Sequence, residues 1–408
     1  MKKQVLLILM VVLSLVLTAC TTSSGTLLKE ATAKQLELKS FESSSTFFVD
    51  IDTAFLKKRL ELDMDTKQID TFNSKVDFHV GANLLALAGL KVQPNKDGIV
   101  TFSLISKNGE SILGTSQDEI GIQLSNNTAM LEDAFGEGKG EDFNVLVLTM
   151  QDAMRELMKE YIKDYGYTFN SNQIKNNGDV TIVLPNGKRI ETEHVEIEMT
   201  ALDAVEMLQY SLNYFLENKE FQDYFYDSIS ELPTMVSAFA PAKEIDSTEI
   251  QAGLDKMKVE LNSAIKDLIS KLENVKTTYL LEYKEELNEF AKINLGMYIG
   301  KEDKETYQTT FALQLNYTKA VADLDLEGLK GLPLVPGDSI TISSVDQYWN
   351  HNKKLEPIKV PSRLVSMEEL SQMEDVGEEL KEIAGEDSLI AQMAEFFEQM
   401  AMDTTDTN

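Results

Sequence analysis

The chain has 408 residues, 43% of them hydrophobic, with 38 basic side chains against 68 acidic ones and a formal net charge of −30. So acidic a surface argues against nucleic acid as a partner and against direct adsorption to anionic lipid. A single cysteine excludes both an intramolecular disulfide and a cysteine-based zinc cluster, and the length suits two ordinary domains or one large one.

The N-terminus reads as a processed signal peptide over residues 1–19. Lys2 and Lys3 form a basic start, and an apolar run from Val5 to Leu17 is broken only by Ser14. That run is short for a membrane span, which needs about 20 residues, and its basic, apolar, small-residue order is that of a cleaved leader. It closes on Leu17-Thr18-Ala19-Cys20, which resembles the bacterial lipobox. The resemblance implies diacylglyceryl transfer to the Cys20 thiol, cleavage after Ala19, and a lipoprotein anchored by lipid on the extracytoplasmic face of a cell membrane. A thiolate is the nucleophile such thioether formation requires, and more than one acyl chain gives firm tethering. With Lys2 and Lys3 removed, 36 basic and 68 acidic residues leave the mature part at −32.

After a short tether at residues 20–25, Leu27, Leu28, Ala31, Gln35, Leu38 and Phe41 fall near helical spacing. The period then becomes two. Phe47, Val49, Ile51 and Phe55 share one face, with Asp50 and Asp52 opposite, as in a half-buried strand. Val76, Phe78 and Val80 predict a second strand, Val100, Phe102 and Leu104 a third, and Ile120, Ile122 and Leu124 a fourth; Asn108-Gly109 is a hairpin signal between the last two. A helix is expected from Val145 to Tyr165, carrying Met150, Met154, Leu157 and Tyr161. Asn177-Gly178 leads into a hairpin whose arms hold Val180, Ile182 and Leu184, then Val195, Ile197 and Met199, around Asn186-Gly187. Thr200 with Asp203 reads as a capping box, opening a helix with Ala204, Val205, Leu208, Leu212 and Phe215 inward. Phe221, Tyr224, Phe225 and Ile229 suggest another helical segment, and Pro233 and Pro241 mark a linker.

The first helix-plus-sheet unit thus covers residues 26–241, and a second covers 242–366. In the second, Asp246 and Glu249 are cap candidates for a helix through Ile250, Leu254, Met257, Leu261, Ile265, Leu268 and Leu272. Strands are predicted at Thr277–Tyr283, Ile293–Ile299, Tyr307–Tyr317 and Ile340–Ile342. The stretches 39–49 and 272–281 occupy corresponding places, which reads either as a weak internal repeat or as two unrelated strands after two unrelated helices. Residues 367–408 hold 13 acidic residues and one basic one, Lys381, with an apolar face at Leu389, Ile390, Met393, Phe396, Phe397 and Met400. They form an acidic helical tail, with disorder expected from Asp403.

The lipobox, a first helix ending in Leu38-Lys39-Ser40-Phe41 and the antiparallel strands that follow resemble the LolA/LppX-like lipoprotein-localisation and lipid-carrier fold. The wording is shared over Thr26 to Phe55 and only the architecture beyond it. The resemblance implies an α+β fold, a curved antiparallel meander packed on amphipathic helices, that holds a hydrophobic, lipid-like ligand. It carries over no ligand-contacting residue.

Catalytic and cofactor motifs are missing from the sequence. His79 and His194 fall on polar strand faces and His351 in a loop, none within a His-Glu-x-x-His pattern. Asp323-Leu-Asp325-Leu-Glu327-Gly328 starts like a calcium loop, but the twelfth position is Leu334 where a bidentate carboxylate is required. Gly114-Thr115-Ser116-Gln117-Asp118 departs from the nucleophile elbow. Pairs such as Asp50 with Asp52, or Glu196 with Glu198, read as solvated sheet faces in so acidic a chain. Trp349 with Tyr348 and His351 is an aromatic-polar cluster suited to a binding edge or a tucked-in anchor. Met150, Met154 and Met158 suit a lipid cavity or ordinary packing. The expectation is therefore no enzyme, no catalytic residue, no metal and no cofactor. What remains is a binding lipoprotein with a hydrophobic ligand or an envelope protein as partner, or else a structural or adhesive envelope protein without a ligand cavity. A hydrolase with carboxylates in a cleft has no motif behind it.

Overall fold

The computed structural model describes residues 23–87, 89–108, 110–126, 139–170, 172–223, 225–226, 247–323 and 334–395. Cys20 and the leader, the linker prolines, the cap candidate Asp246, most of the calcium-loop-like stretch and the end of the tail lie outside them. The chain divides into two compact units, neither continuous in sequence: residues 1–38, 47–61 and 145–348 make the first, and 39–46, 62–144 and 349–408 the second.

The fold is α+β, built on a twelve-stranded sheet. Its strands are β1 (Phe41–Asp52), β2 (Lys57–Gln68), β3 (Ser74–Gly81), β4 (Ile99–Lys107), β5 (Glu110–Thr115), β6 (Ile120–Asn126), β7 (Ile174–Val183), β8 (Arg189–Thr200), β9 (Ala291–Gly300), β10 (Thr306–Tyr317), β11 (Asp338–Trp349) and β12 (Arg363–Ser366). The order across the sheet is β12-β6-β5-β4-β3-β2-β1-β11-β10-β9-β8-β7. The pairing is antiparallel wherever register is defined, except for β12, which adds parallel to β6. The strands that the sequence assigned to its two halves thus belong to one sheet.

In the first unit, helices α1 (Ser23–Leu36), α3 (Lys139–Asp164, from residue 145 on) and α4 (Ala201–Glu217) flank the strands; a short α2 (Ala82–Leu87) belongs to the second. The capping box starts α4 as the sequence predicts: Thr200 N–H donates to Asp203 Oδ2 at 2.8 Å and Asp203 N–H to Thr200 Oγ1 at 3.3 Å. The turn at Asn186-Gly187 closes β7 on β8, with Gly187 at φ 81° where a side chain would be strained. Asn177-Gly178 is a bulge inside β7 instead, where the register shifts against β8.

One predicted strand is helical. Helix α5 (Ser247–Val275) runs on into a π turn over Lys276–Leu280, closed by Leu281 N–H on Lys276 O at 2.9 Å, and then α6 (Lys284–Phe290). Thr277, Tyr279, Leu281 and Tyr283 do alternate, but burial falls on Leu280 and Leu287, which pack with Leu202 and Val321, while Leu281 stays exposed. A spacing of seven is helical, and this tertiary contact overrides the local alternation. The stretch 272–281 therefore does not correspond structurally to β1. A second correction concerns Phe55: β1 ends at Asp52, and Phe55 lies in the following turn, 76% exposed, off the inward face that the period of two assigned to it.

After the first unit's short α7 (Lys319–Asp323), the tail forms α8 (Met367–Gln372), α9 (Val376–Ala384) and a helical turn over 389–395. It is part of the second unit's core. Leu380, Ile390 and Ala391 are buried with Ile120 and Val365. Ser366 and Glu369 form a second capping box at its entry. Lys381, its one cation, is bonded by Glu395 and by Glu378, which hold its ammonium above the ordinary lysine range. Truncating Leu380 to alanine is expected to lower stability by roughly 2–5 kcal/mol, the range for emptying a buried leucine site, read from the urea midpoint. A free acidic appendage would leave the midpoint unchanged.

Candidate ligand-binding face

Strand alternation places an apolar set on one side of the sheet and a polar set on the other, and in the first unit the apolar set is traceable from strand to strand. Ile174 pairs with Ile197; Ile197 with Leu295 and Met199 with Ile293; Leu295 with Phe311 and Ile293 with Leu313; Leu313 with Ile342 and Leu315 with Ile340. Burial falls along this series. Val195, Ile197 and Met199 on β8 are completely covered by Leu28 and Ala31 of α1, Tyr161 of α3, Met207 of α4 and the loop aromatics Tyr165 and Phe169. Ile293 and Leu295 on β9 are partly covered. Phe311, Leu313 and Leu315 on β10, with Ile340 and Ile342 on β11, are only half-buried. The opposite side carries Glu196, Glu198, Lys175 and Asn177, with Lys175 and Glu198 2.6 Å apart.

The cover is an aromatic cluster. The Tyr161 ring stacks on Tyr165 at 5.1 Å and meets Tyr214 edge-on at 5.0 Å, and Phe221 lies 4.9 Å away. Ser211 Oγ donates to Met207 O at 2.9 Å, so at 2.5 Å the Tyr165 hydroxyl is the donor to Ser211. Burial pushes the phenols of Tyr161 and Tyr165 well above the ordinary tyrosine range, against a smaller opposing pull from Ser211, so both stay neutral. The Tyr161 hydroxyl is near Ser211 without hydrogen-bond geometry and has no partner among the described residues. A buried hydroxyl in that condition costs about 1–3 kcal/mol.

The second unit has an apolar strip of its own. Met64 pairs with Phe78 and Thr66 with Val76; Phe78 with Phe102, Val76 with Leu104 and Val80 with Val100; Leu104 with Leu113, and Leu113 with Ile122. No ionisable side chain interrupts the paired positions. Met64, Val76, Phe78, Phe102 and Leu113 are half-buried and Leu104 is 41% exposed. The charges of β2 and β3 lie on the other side: Asp63, Asp65, Lys75, Asp77 and His79. Two members escaped the sequence reading. The alternation of Leu60, Leu62, Met64 and Thr66 with charged residues would have located β2; β5, with only Ile112 and Leu113 for a signal, would not have been found.

The other residues singled out from sequence have structural surroundings. His79 on β3 sits 3.0 Å from both Asp65 Oδ2 and Thr101 Oγ1. His194 on β8 stacks on the Tyr298 ring at 4.1 Å, and partial burial lowers its pKa against the smaller pull of Glu196. Both lie on polar strand faces, as expected, while His351 is buried. Trp349 is an anchor: its Nε1–H donates to a Glu42 carboxylate oxygen at 3.0 Å, and Asn350 Nδ2 to the same oxygen at 2.6 Å. Thr115 and Asp118 form a turn, with Thr115 Oγ1 donating to Asp118 at 2.6 Å. Met158 packs against the aromatic core while Met154 is exposed; the side chain of Met150 is outside the described set. Among the described residues no group of three or more His, Cys, Asp or Glu side chains is arranged to hold a metal. No helix among them is long and apolar enough to cross a membrane.

No protein-family model matches the chain, and no curated protein matches it. Among solved structures it is similar to a LolA superfamily protein from Nitrosomonas europaea, at 7% identity and a TM-score of 0.18, over 84% of this chain and 99% of that one. It is also similar to a DUF1329 family protein from Desulfovibrio piger, at 6% identity and a TM-score of 0.17, over 81% of this chain and 93% of that one. Neither likeness bears on function.

Proposed function

We propose that the chain is an extracytoplasmic lipoprotein, anchored by lipid on Cys20, that binds a hydrophobic, lipid-like ligand against the half-covered apolar face of its sheet. The observation that carries this is the fall of burial across the first unit. The same apolar row, sealed by helices at β8, is only half-buried at β10 and β11, where Phe311, Leu313, Leu315, Ile340 and Ile342 lie, with Asp346 at the far end of that side of β11. Side chains of that kind gain from further cover, because each apolar area removed from water is favourable. An acyl chain supplies such cover without bringing a polar group that needs a partner. The strip through Phe78, Phe102 and Leu104 in the second unit offers the same chemistry.

The structural or adhesive alternative draws on the polar strand faces or on the acidic tail. Its apolar positions are used internally at Leu380, Leu389 and Ile390, which weakens the case for an arm presented to a partner. No catalytic chemistry forms part of the proposal.

Placing a charge on the half-open face tests the ligand. Leu313→Asp is expected to weaken binding of a fluorescent fatty-acid probe by about tenfold or more, the scale of introducing an unpaired charge into an apolar site, with far-ultraviolet circular dichroism unchanged. Probe binding equal to that of the parent chain contradicts the proposal.

The anchor is tested separately. Cys20→Ala is expected to shift the protein out of the membrane fraction or leave it at precursor size, without loss of folding. A variant that stays membrane-bound at mature size overturns the anchoring.

A further inference from the structure

The helical turn 389–395 is held from several sides over the apolar side of the second unit. Ile390 N–H donates to Asp118 Oδ2 at 3.2 Å, just before β6. Lys91 N–H donates to Gln392 Oε1 at 2.7 Å and Gln392 Nε2 returns a bond to Lys91 O at 3.0 Å, which holds the turn beside the segment that leads into β4. Glu395 bonds Lys381 of α9 and lies against Gly377, where a methyl group would meet its side chain. Below, Ile390 and Ala391 are buried with Ile120 and Val365.

These ties fix a direction. β12 runs parallel to β6, and α8 leaves its end at Ser366, opposite Gln123. α9 returns from there to the cap at Gly385, and 389–395 runs back against α9, with Glu395 at Gly377. The tail helix therefore travels along β6 from Asp118 toward Ile122, on the side of β5 and β4. At ~1.5 Å per residue it advances ~9–15 Å from Ile390 to positions 396–400. At ~3.3 Å per residue, β6 advances ~13 Å from Asp118 to Ile122. Positions 396–400 thus come level with the paired row Ile122, Leu113 and Leu104. In that row Leu113 is half-buried and Leu104 is 41% exposed.

The sequence places Phe396, Phe397 and Met400 there, outside the described residues, followed by Ala401 and Met402. At spacings of three and four they continue the apolar arc of Leu389, Ile390, Met393 and Ala394, while Gln399 continues the polar line of Gln392 and Glu395. We propose that residues 396–402 are the resident cover of the second unit's apolar strip, laying Phe396, Phe397 and Met400 on Leu104 and Leu113, so that a hydrophobic ligand reaches this strip only by displacing the chain's own tail. The inference rests on reading the apolar faces as ligand-binding, and it adds a regulation to that reading. An occupant tethered through the Ile390 and Glu395 contacts is present at high effective concentration. The apparent affinity of a free ligand falls by the fraction of chains whose strip is vacant.

The test uses the full chain, first alone and then with a fluorescent fatty-acid probe. Without probe, hydrogen–deuterium exchange read by mass spectrometry is expected to show the amides of 396–402 protected. Leu104→Asp, at a position that is already part-exposed, should speed their exchange by about tenfold or more, the scale of an unpaired charge in an apolar contact. Leu104→Thr repeats the comparison with a milder change if the aspartate unsettles the sheet. With probe, Phe396→Ser with Phe397→Ser is made on the Leu313→Asp chain, in which the first unit's face is charged. It should raise probe affinity about tenfold, the weight of removing even one buried phenylalanine from the competing cover. Equal exchange in the parent and both Leu104 variants overturns the proposal. So does equal probe affinity with and without the two serines, where the parent chain binds probe. A parent that binds no probe contradicts ligand binding at the sheet instead, and the exchange comparison then decides alone whether the tail lies on the strip.

Discussion

A β-sheet that is apolar on one side must have that side taken out of water, and in this protein the described residues cover it only in part. Where α1, α3 and α4 lie over β8, the side chains below are sealed, and the aromatic cluster around Tyr161 and Tyr165 fills the layer. Two strands further on, at β10 and β11, the same row of side chains is half-buried. Completely covering one such side chain is worth roughly 1.5–3 kcal/mol relative to exposure. A protein that closed the gap with its own residues would be more stable, so the gap is a stability cost that a ligand would recover. The helices are held over β8 by polar ties as well as packing. Lys29 of α1 donates to Tyr165 O at 2.7 Å, and Tyr165 is linked through Ser211 to α4.

The second unit solves the same problem differently. At its β12-β6 edge the cover comes from the C-terminal segment, whose Leu380, Ile390 and Ala391 pack with Ile120 and Val365. Composition alone marks that segment as a solvated acidic tail, but its carboxylates are arranged around the helices: Glu369 in a capping box, Glu378 and Glu395 on Lys381. The acidity thus faces outward while the apolar positions do the packing. Further along, the uncharged strip from Met64 to Leu113 remains half-open.

Much of this was legible in the sequence. Alternating residues such as Val76, Phe78 and Val80, or Val195, Ile197 and Met199, define both a strand and its inward side, because period two has few other readings. Thr200 with Asp203 marked a helix start because a capping box is a local event. The failures are tertiary. Thr277 to Tyr283 alternate, yet Leu280 and Leu287 find partners in Leu202 and Val321, and the chain stays helical. Phe55 keeps the parity of Phe47, Val49 and Ile51 but falls beyond the strand, where the turn points it to solvent. Which part of the apolar face is sealed and which is half-open depends on where α1, α3 and α4 dock, and no periodicity encodes that. The hydrogen bond from Ala54 N–H to the Asp338 carboxylate, between residues 284 apart in sequence, is equally invisible locally.

The central claim is that the half-buried part of this face holds a hydrophobic ligand. Native mass spectrometry of the full chain, purified from cells under mild conditions, tests it most directly. The account predicts a mass increment of a lipid-like molecule beyond the covalent modification at Cys20, released on denaturation and missing from Leu313→Asp. A parent chain that carries nothing beyond its covalent mass, and gains nothing when mixed with membrane lipids, would contradict it.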